Sequence, residues 1–464
     1  MITSAAFAGR RYAVLGLARS GAAAAESLIA SGARVTVWDR QDEPREAFAG
    51  RAQIADPLTC DLSGLDAIVV SPGVPLNSHP IAERARQFGV PIIGDIELFS
   101  QARGGLPPHQ VVGITGTNGK STTTALVAHI LREAGRPVRM GGNIGLPVLA
   151  ADPLEPNEKG VGVYVLELSS YQIDLTRSLA CEVAALLNIS PDHLDRYDGL
   201  EAYAFAKSRL FAMQGSGQLA IFGNGDPLTR AFRDAAQDRR GADRVRSIDT
   251  ARYAERQQLW PSLQGPHNLE NAAAAIAIVS ELGVQEADWA PALESFGGLP
   301  HRMERLGEYR GILFVNDSKA TNPASAAPAL AAFPPDESIH GGTPRIHWIV
   351  GGLPKEDGLG ECAQYLGNVA CAYTVGESGP RFAELLQGRV PVEPSEMICE
   401  ATRRALGSAR AGDVILLSPA CASFDQFRDY EKRGDHFRTV IEVLTGNKLE
   451  AGSASISGTE VRKQ

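Results

Sequence analysis

Ile114-Thr-Gly-Thr-Asn-Gly-Lys-Ser-Thr122 is the segment whose residue types and spacing point most directly to chemistry. It follows a short β-type run and opens a helical one. The backbone N–H groups of Gly116, Thr117, Asn118 and Gly119 can therefore surround phosphates, while Lys120 reaches the β- and γ-phosphates and the Ser121 or Thr122 hydroxyl ligates Mg²⁺. Ile114 takes the place of the first glycine in G-x-x-x-x-G-K-[ST], so this is a variant phosphate loop with ATP or GTP as its expected ligand. Glu167 ends the apolar run Val163-Tyr-Val-Leu166. A carboxylate at the C-terminal end of a buried parallel strand faces the crevice where ligands collect, and Mg²⁺ beside phosphates needs such a hard oxygen.

Asp192-His-Leu-Asp195 follows another apolar run, 184–189, and has none of the spacings of a zinc site. A single histidine there is ordinarily structural; Lys207 gives His193 more weight. On a helix over 200–211, Lys207 falls in the apolar stripe of Leu200, Tyr203, Ala204, Leu210 and Phe211. A lysine in that stripe snorkels, pairs with an acid, or has a depressed pKa that leaves its amine neutral and reactive. A neutral amine can add CO₂ and become a carbamate, an anion able to hold a second Mg²⁺ with His193; periodicity does not carry that step.

A weaker phosphate signal lies near the N-terminus. Gly16-Leu-Ala-Arg-Ser-Gly21 joins a strand to a helix, and Asp39 ends the next strand. A dinucleotide fold binds pyrophosphate at such a helix N-terminus and a hydroxyl pair at such an acid. Ala18 replaces the middle glycine of G-x-G-x-x-G, which would crowd a pyrophosphate approaching the backbone.

The elements that must position these residues are short strands alternating with helices, at 12–16, 34–38, 67–70, 90–93, 110–114, 161–166, 183–187, 311–315, 347–350 and 413–417. That rhythm predicts parallel, doubly wound sheets. The Gly- and Pro-rich stretch 101–109 reads as a linker, a second boundary falls near 298–300, and the polar end from 451 to 464 reads as a flexible tail. With 464 residues, two to four domains are expected. Lys and Arg total 45 against 54 Asp and Glu, a net charge of −9, which disfavours bulk binding to nucleic acid or anionic lipid. No apolar run reaches the ~18 residues of a membrane span and no secretory leader is evident, so a cytosolic protein is expected. The six cysteines include no C-x-x-C pair and suggest neither a zinc site nor a disulfide framework.

Taken together the chain resembles the ATP-dependent Mur ligases over about residues 10–445. The resemblance rests on Gly-Asp-Ile-Glu-Leu-Phe (94–99), Gly-Thr-Asn-Gly-Lys-Ser-Thr (116–122), Gly-Gly-Asn-Ile-Gly (141–145), Leu-Glu-Leu-Ser-Ser-Tyr-Gln (166–172) and Asp-His-Leu-Asp-Arg-Tyr (192–197). It continues in His-Asn-x-x-Asn (267–271), Leu-Pro-His-Arg-Met-Glu (299–304), Asn-Asp-Ser-Lys-Ala-Thr-Asn (316–322) and Leu-Ser-Pro-Ala-Cys-Ala-Ser-Phe-Asp-Gln-Phe (417–427). The last two resemble the D-glutamate-adding branch.

The resemblance implies an α/β chain of three domains: an N-terminal Rossmann-like UDP-sugar domain (1–106), a central P-loop-type mononucleotide-binding sheet for ATP (107–299), and a C-terminal Rossmann-like amino-acid domain (300–450). It implies ligation of D-glutamate to UDP-N-acetylmuramoyl-L-alanine through an acyl phosphate, in cytoplasmic peptidoglycan precursor synthesis that serves cell shape and division. It further implies two Mg²⁺ ions, with Mn²⁺ as an alternative, in a monomer that binds neither membrane nor nucleic acid. By resemblance, Ser20, Gly21, Asp39, Arg40, Ser71, Gly73, Asn143 and Gln172 hold the UDP-sugar. Asn268, Asn271, His301, Arg302 and Asp317 join the phosphate loop at ATP, Ser121, Glu167, His193 and carbamylated Lys207 form the metal site, and a hinge lies at 299–302. Lys319, Thr321, Lys355, Ser423 and Tyr430 grip the amino acid. The rival expectations are another amide ligase, either a Mur ligase adding a different amino acid or one resembling folylpolyglutamate synthase, a nicotinamide-dependent dehydrogenase and a non-catalytic nucleotide sensor.

Overall fold

The computed structural model describes residues 1–449; the expected tail at 451–464 lies outside the described residues. Three sheets carry the chain. The first comprises β1 (Arg11–Leu15), β2 (Arg34–Trp38), β3 (Gln53–Ile54), β4 (Ala67–Val70) and β5 (Ile92–Ile93), all parallel, in the order β3-β2-β1-β4-β5. Tyr12 and Val14 point into one apolar cluster and Ala13 and Leu15 into another, so β1 is buried on both faces. That is why it reads as a continuous apolar run rather than an alternating one.

The second sheet holds β6 (His109–Thr115), β7 (Val138–Gly142), β8 (Gly162–Glu167), β9 (Val183–Leu186), β10 (Leu219–Phe222) and β11 (Val245–Ser247), in the order β11-β10-β9-β6-β8-β7. Its strands are likewise parallel. The winding reverses around β6, the position where an open α/β sheet forms a crevice beyond its strand ends. The first two sheets share one apolar cluster running from Val14 and Val69 through Val111, Tyr164 and Leu186. Glu97 adds a polar fastening between them: its carboxylate accepts hydrogen bonds from the Arg177 and Ser178 backbones and from the Ser178 hydroxyl.

The third sheet comprises β12 (Glu304–Tyr309), β13 (Ile312–Asn316), β14 (Ile346–Gly351), β15 (Val369–Val375), β16 (Val392–Glu396) and β17 (Val414–Leu417), in the order β12-β13-β17-β14-β15-β16. Among the described residues of this sheet only the β12–β13 hairpin is antiparallel. Val315, Trp348 and Leu416 fill one face; Phe314, Ile349 and Ile415 fill the other. The chain divides into two compact units, Met1–Ala251 with Glu270–Ala292, and Arg252–Leu269 with the chain from Leu293 onward. No helix among the described residues is long and apolar enough to cross a membrane.

The α/β class and the three sheets match the expectation, and each expected strand falls on a strand. Seven were missed. β3, β7, β11, β12 and β16 are edge strands, which need no continuous apolar run, and β7 ends in two glycines. β10 and β15 are interior, but short apolar runs are not separable from buried helix by periodicity.

Candidate functional site

The phosphate loop leaves the C-terminal end of β6 and runs into the helix Lys120–Glu133. Gly119 caps that helix at φ 81° and supplies no side-chain cap, so the first-turn N–H groups remain available to an anion. A Cβ at Gly119 would lie 2.2 Å from Asn271 Oδ1, so glycine is required both by conformation and by space. The loop is fastened from the end of β9. Thr117 N donates to Asn188 O (2.9 Å), Asn118 N to Asn188 Oδ1 (2.8 Å), and Ser190 N to Thr117 Oγ1 (3.0 Å). Lys120 departs from its expected pose: Nζ donates to Gly116 O (2.9 Å) and Thr117 O (2.7 Å). The carbonyls occupy the ammonium group that the sequence pattern directs at phosphate.

Lys207 lies on the helix Gly199–Ala212 with Tyr203, Ala204, Leu210 and Phe211 buried beside it, as the stripe predicts. It is 1% exposed, its Nζ donates to Gly116 O (2.9 Å), and it sits 4.4 Å from the Tyr203 ring centroid. Two amines thus converge on one carbonyl oxygen. Burial, then the Lys120 charge, hold the Lys207 amine well below the usual lysine range, which favours its neutral, nucleophilic form.

Glu167 ends β8, 2% exposed, with Oε1 accepting from Asn143 Nδ2 (2.9 Å). Oε2 is buried with no hydrogen-bond partner among the described residues. A buried carboxylate oxygen left without a donor fits a divalent cation, as does the buried hydroxyl residue Ser121. No group of three or more His, Cys, Asp or Glu is arranged for a metal among the described residues. The remaining ligands must then be phosphate or water oxygens, the usual habit of Mg²⁺. Gly142, at φ 86°, lets the 142–143 turn lie on the end of β8; a Cβ there would meet Glu167 O at 2.1 Å.

His193 has a positive φ of 54°, its ring lies 4.9 Å from Tyr171, and Nε2 is 3.5 Å from Asp192 Oδ2. Burial and then the nearby Lys207 and Lys120 charges lower its pKa against Asp192, keeping the imidazole in the form that ligates metals. Its loop is tied to the turn that follows β4 through Arg196 Nη2 to Val74 O (3.0 Å) and Asn77 Nδ2 to Asp195 O (3.1 Å).

In the first loop the helix Arg19–Ala30 starts at Ala18 with no side-chain cap. Gly21 is glycine because a Cβ would lie 1.8 Å from Gly16 O; Ser71 Oγ donates to that same carbonyl (2.8 Å). Asp39 fastens the loop, accepting from Leu17 N (2.7 Å) and Gln41 N (3.0 Å). Ser20 borders this turn, Arg40 is exposed, and nothing lies within 4 Å of a Cβ at Gly73. Gln172 is buried in a capping box with Ser169.

In the second unit, Lys355 Nζ donates to Thr321 Oγ1 (3.1 Å) and Lys319 Nζ lies 3.8 Å from the Tyr430 ring centroid. Ser423 is buried. Asp317 accepts from Ser418 Oγ (2.7 Å) and Met303 N (3.1 Å), and burial pushes its carboxyl up to about 7. His301 Nδ1 is 3.0 Å from Asn316 Nδ2, and Lys319 N donates to His301 O (2.9 Å). Arg302 is half-buried, and Asn268 Nδ2 donates to Gln264 O (3.1 Å).

The structure therefore gathers Lys120, Ser121, Glu167, His193 and Lys207 in one unit, with Asn271 of the helix Pro266–Glu281 accepting from Thr123 Oγ1 (3.2 Å), and the Lys319–Tyr430 and Thr321–Lys355 pairs in the other. Sequence reasoning missed Asn188, Tyr171, Tyr203 and Arg433 as site-forming residues. Arg433 was legible by the argument applied to Lys207, since Arg433, Phe437 and Ile441 form one buried stripe of the helix Tyr430–Thr445. Asn188 and Tyr171 act through fold-dependent contacts that no local pattern announces.

Comparison with known proteins bears on the family of the chain. The Mur ligase MurD-like N-terminal domain matches residues 10–94, the Mur ligase middle domain 114–279, and the Mur ligase glutamate ligase domain 301–421. A protein of Novosphingobium aromaticivorans named UDP-N-acetylmuramoylalanine--D-glutamate ligase is 62% identical, covering 96% of this chain and 97% of its own. Its namesake from Zymomonas mobilis is 50% identical, covering 96% and 100%. Among solved structures, the UDP-N-acetylmuramate-alanine ligase of Thermotoga maritima aligns with a TM-score of 0.56 at 18% identity, covering 95% of this chain and 100% of that one. MurF ligase of Thermotoga maritima, in complex with ADP, gives 0.54 at 16%, covering 94% and 96%. At such identities these two speak for the fold alone. Full-length identity to the D-glutamate ligases, together with three consecutive domain matches, shows that the chain belongs to the Mur ligase family.

Proposed function

We propose that this protein is an ATP-dependent ligase that adds D-glutamate to UDP-N-acetylmuramoyl-L-alanine in peptidoglycan precursor synthesis. The observation that carries this reading is the 62% identity over 96% of the chain to a ligase of that name. The L-alanyl carboxylate attacks the γ-phosphorus of ATP, giving an acyl phosphate and ADP. The D-glutamate amine then attacks the acyl carbon, the nitrogen loses a proton, and phosphate departs as the amide forms.

Little covalent work falls to the protein; it aligns three substrates and neutralises charge. Lys120 exchanges the Gly116 and Thr117 carbonyls for the transferring phosphate, while the loop N–H groups of 116–122 hold the rest of the triphosphate. Glu167 and Ser121 would hold one Mg²⁺, and His193 with a carbamate on Lys207 a second; Mn²⁺ is the alternative ion. When bound, the metal supplies positive charge against the phosphate oxygens. The buried amine of Lys207 is suited to carbamate formation, in which its nitrogen lone pair bonds to CO₂ carbon and a proton is released. Asn143 orients Glu167.

Asn268, Asn271, His301, Arg302 and Asp317 are assigned to ATP on the family resemblance. Ser20, Gly21, Asp39, Arg40, Ser71, Gly73, Asn143 and Gln172 are assigned to the UDP-sugar, and Lys319, Thr321, Lys355, Ser423 and Tyr430 to D-glutamate. A substrate with two carboxylates needs cations and hydroxyl donors, which the Lys355–Thr321 and Lys319–Tyr430 pairs offer. On the same reading the domains divide at 106 and 299, and the protein works as a cytoplasmic monomer.

Lys120→Ala tests the phosphate-loop role. Turnover in an ADP-release assay should fall by at least about 10²–10³-fold, the scale of losing one charge-stabilising donor. A near-native rate would remove Lys120 from the mechanism.

A further inference from the structure

Arg433 is 2% exposed, yet among the described residues no carboxylate lies within 4 Å of its guanidinium and all its close acceptors are neutral. Nε donates to Ser318 Oγ (3.0 Å), Nη1 to Ala422 O (3.1 Å), and Nη2 to both Ser318 O (2.8 Å) and Cys421 O (3.0 Å). Buried charges are ordinarily paired with an opposite charge, because desolvation is otherwise costly. Here burial pushes the guanidinium down to about 10, against the opposing pull of Cys421 and of the Asp425 and Asp317 carboxyls beyond contact distance, which still leaves it charged at neutral pH.

The placement of those acceptors is informative. Ser318 directly precedes Lys319, and Ala422 directly precedes Ser423. Ser318 Oγ in turn donates to Tyr430 O (2.8 Å). One planar fork thus spans the backbones that carry Lys319, Thr321, Ser423 and Tyr430. Gly352 makes room for it: a Cβ there would sit 2.4 Å from Ala422 O and 3.1 Å from Arg433 Nη1. A lysine could not replace the fork, since a compact ammonium lacks the planar set of donors that reaches both segments at once.

We propose that Arg433 is the positioning residue of the acceptor amino-acid site, fixing the 318–321 and 421–423 segments relative to each other, with its unpaired charge favouring a substrate that carries two carboxylates. The inference rests on the assignment of Lys319, Thr321, Lys355, Ser423 and Tyr430 to D-glutamate. It goes beyond that assignment in naming a residue that touches no substrate but sets the site's geometry and field.

Steady-state ADP release by the full chain, with each of the three substrates varied in turn, tests it. Arg433→Lys keeps the charge and loses the fork. The KM for D-glutamate should rise about tenfold or more, while the KM values for ATP and UDP-N-acetylmuramoyl-L-alanine stay within about twofold. Arg433→Met, which also loses the charge, should raise the D-glutamate KM further. Ser318→Ala removes one acceptor without touching the charge and should shift the same KM by about two- to fivefold; it carries the test should the arginine variants not fold. An unchanged D-glutamate KM in Arg433→Lys and Ser318→Ala, or equal changes in all three KM values, would overturn the positioning role. Equal KM values in Arg433→Lys and Arg433→Met would overturn the electrostatic part. Lys355→Ala separates the two levels of argument: if it leaves the D-glutamate KM unchanged, the site assignment itself fails, whatever Arg433 does.

Discussion

Lys207 shows how a single side chain becomes legible from its surroundings. An amine buried to 1% exposure, sharing the Gly116 carbonyl with Lys120, carries a proton only at high electrostatic cost, and modification to a carbamate would make it an anion. Lys207→Ala should therefore lose at least about 10²-fold in turnover and regain part of it with added short-chain carboxylic acids that stand in for the carbamate oxygens. No rescue, with an unmodified Lys207 mass in the native protein, would dismiss the modification. Asp317 offers a second residue-level prediction. Its folded pKa of about 7 lies above the usual 3.8, because burial outweighs the Ser418 and Met303 hydrogen bonds. The stability it contributes is fully present below about pH 4 and is lost as pH rises through 7. Asp317→Asn should flatten the denaturation midpoint across that window, and an unaltered pH profile would show that the carboxyl does not titrate there. Both residues were legible for different reasons: Lys207 broke an apolar stripe, whereas Asp317 carried weight only through the motif around it. Asn188 had neither signal, and its two bonds to Asn118 exist only once β9 lies beside β6.

At the scale of elements, the strand ends position the chemistry, and glycines decide how closely neighbouring loops approach them. Gly142 combines φ 86° with a Cβ position 2.1 Å from Glu167 O. Gly142→Ala should destabilise the protein by about 1–3 kcal/mol, read as a shifted urea midpoint, and lower turnover through displacement of Glu167. A variant with native midpoint and native rate would show that the turn tolerates a side chain. Glu97 belongs to a motif recognised in the sequence without a role, and the structure supplies one, since its carboxylate fastens the helix Asp95–Ala102 to the 177–178 turn. Glu97→Ala leaves buried donors unsatisfied and should cost about 2–3 kcal/mol of stability in the same assay, with little change if water replaces the carboxylate. The buried strands were readable because parallel strands covered on both faces are apolar throughout. β12 and β16 escaped notice because edge strands such as Val-Glu-Pro-Ser-Glu carry no such run.

For the whole molecule, the sequence made three α/β units visible through their strand rhythm, and the structure resolves them as three sheets. What the rhythm could not give was the grouping of the first two sheets around one apolar cluster, because that depends on side chains far apart in the chain such as Val69 and Tyr164. On the function proposed above, the nucleotide belongs at the end of β6 and a doubly charged acceptor in the unit bearing Lys355. Ligation predicts that no substrate alone suffices for turnover. ADP release from ATP should be measured with UDP-N-acetylmuramoyl-L-alanine and D-glutamate, each omitted in turn, and with L-glutamate in place of D-glutamate. Release that requires both partners and is faster with the D-enantiomer is the predicted result. Release independent of the UDP-sugar or of the amino acid, or driven equally well by L-glutamate, would refute the assignment.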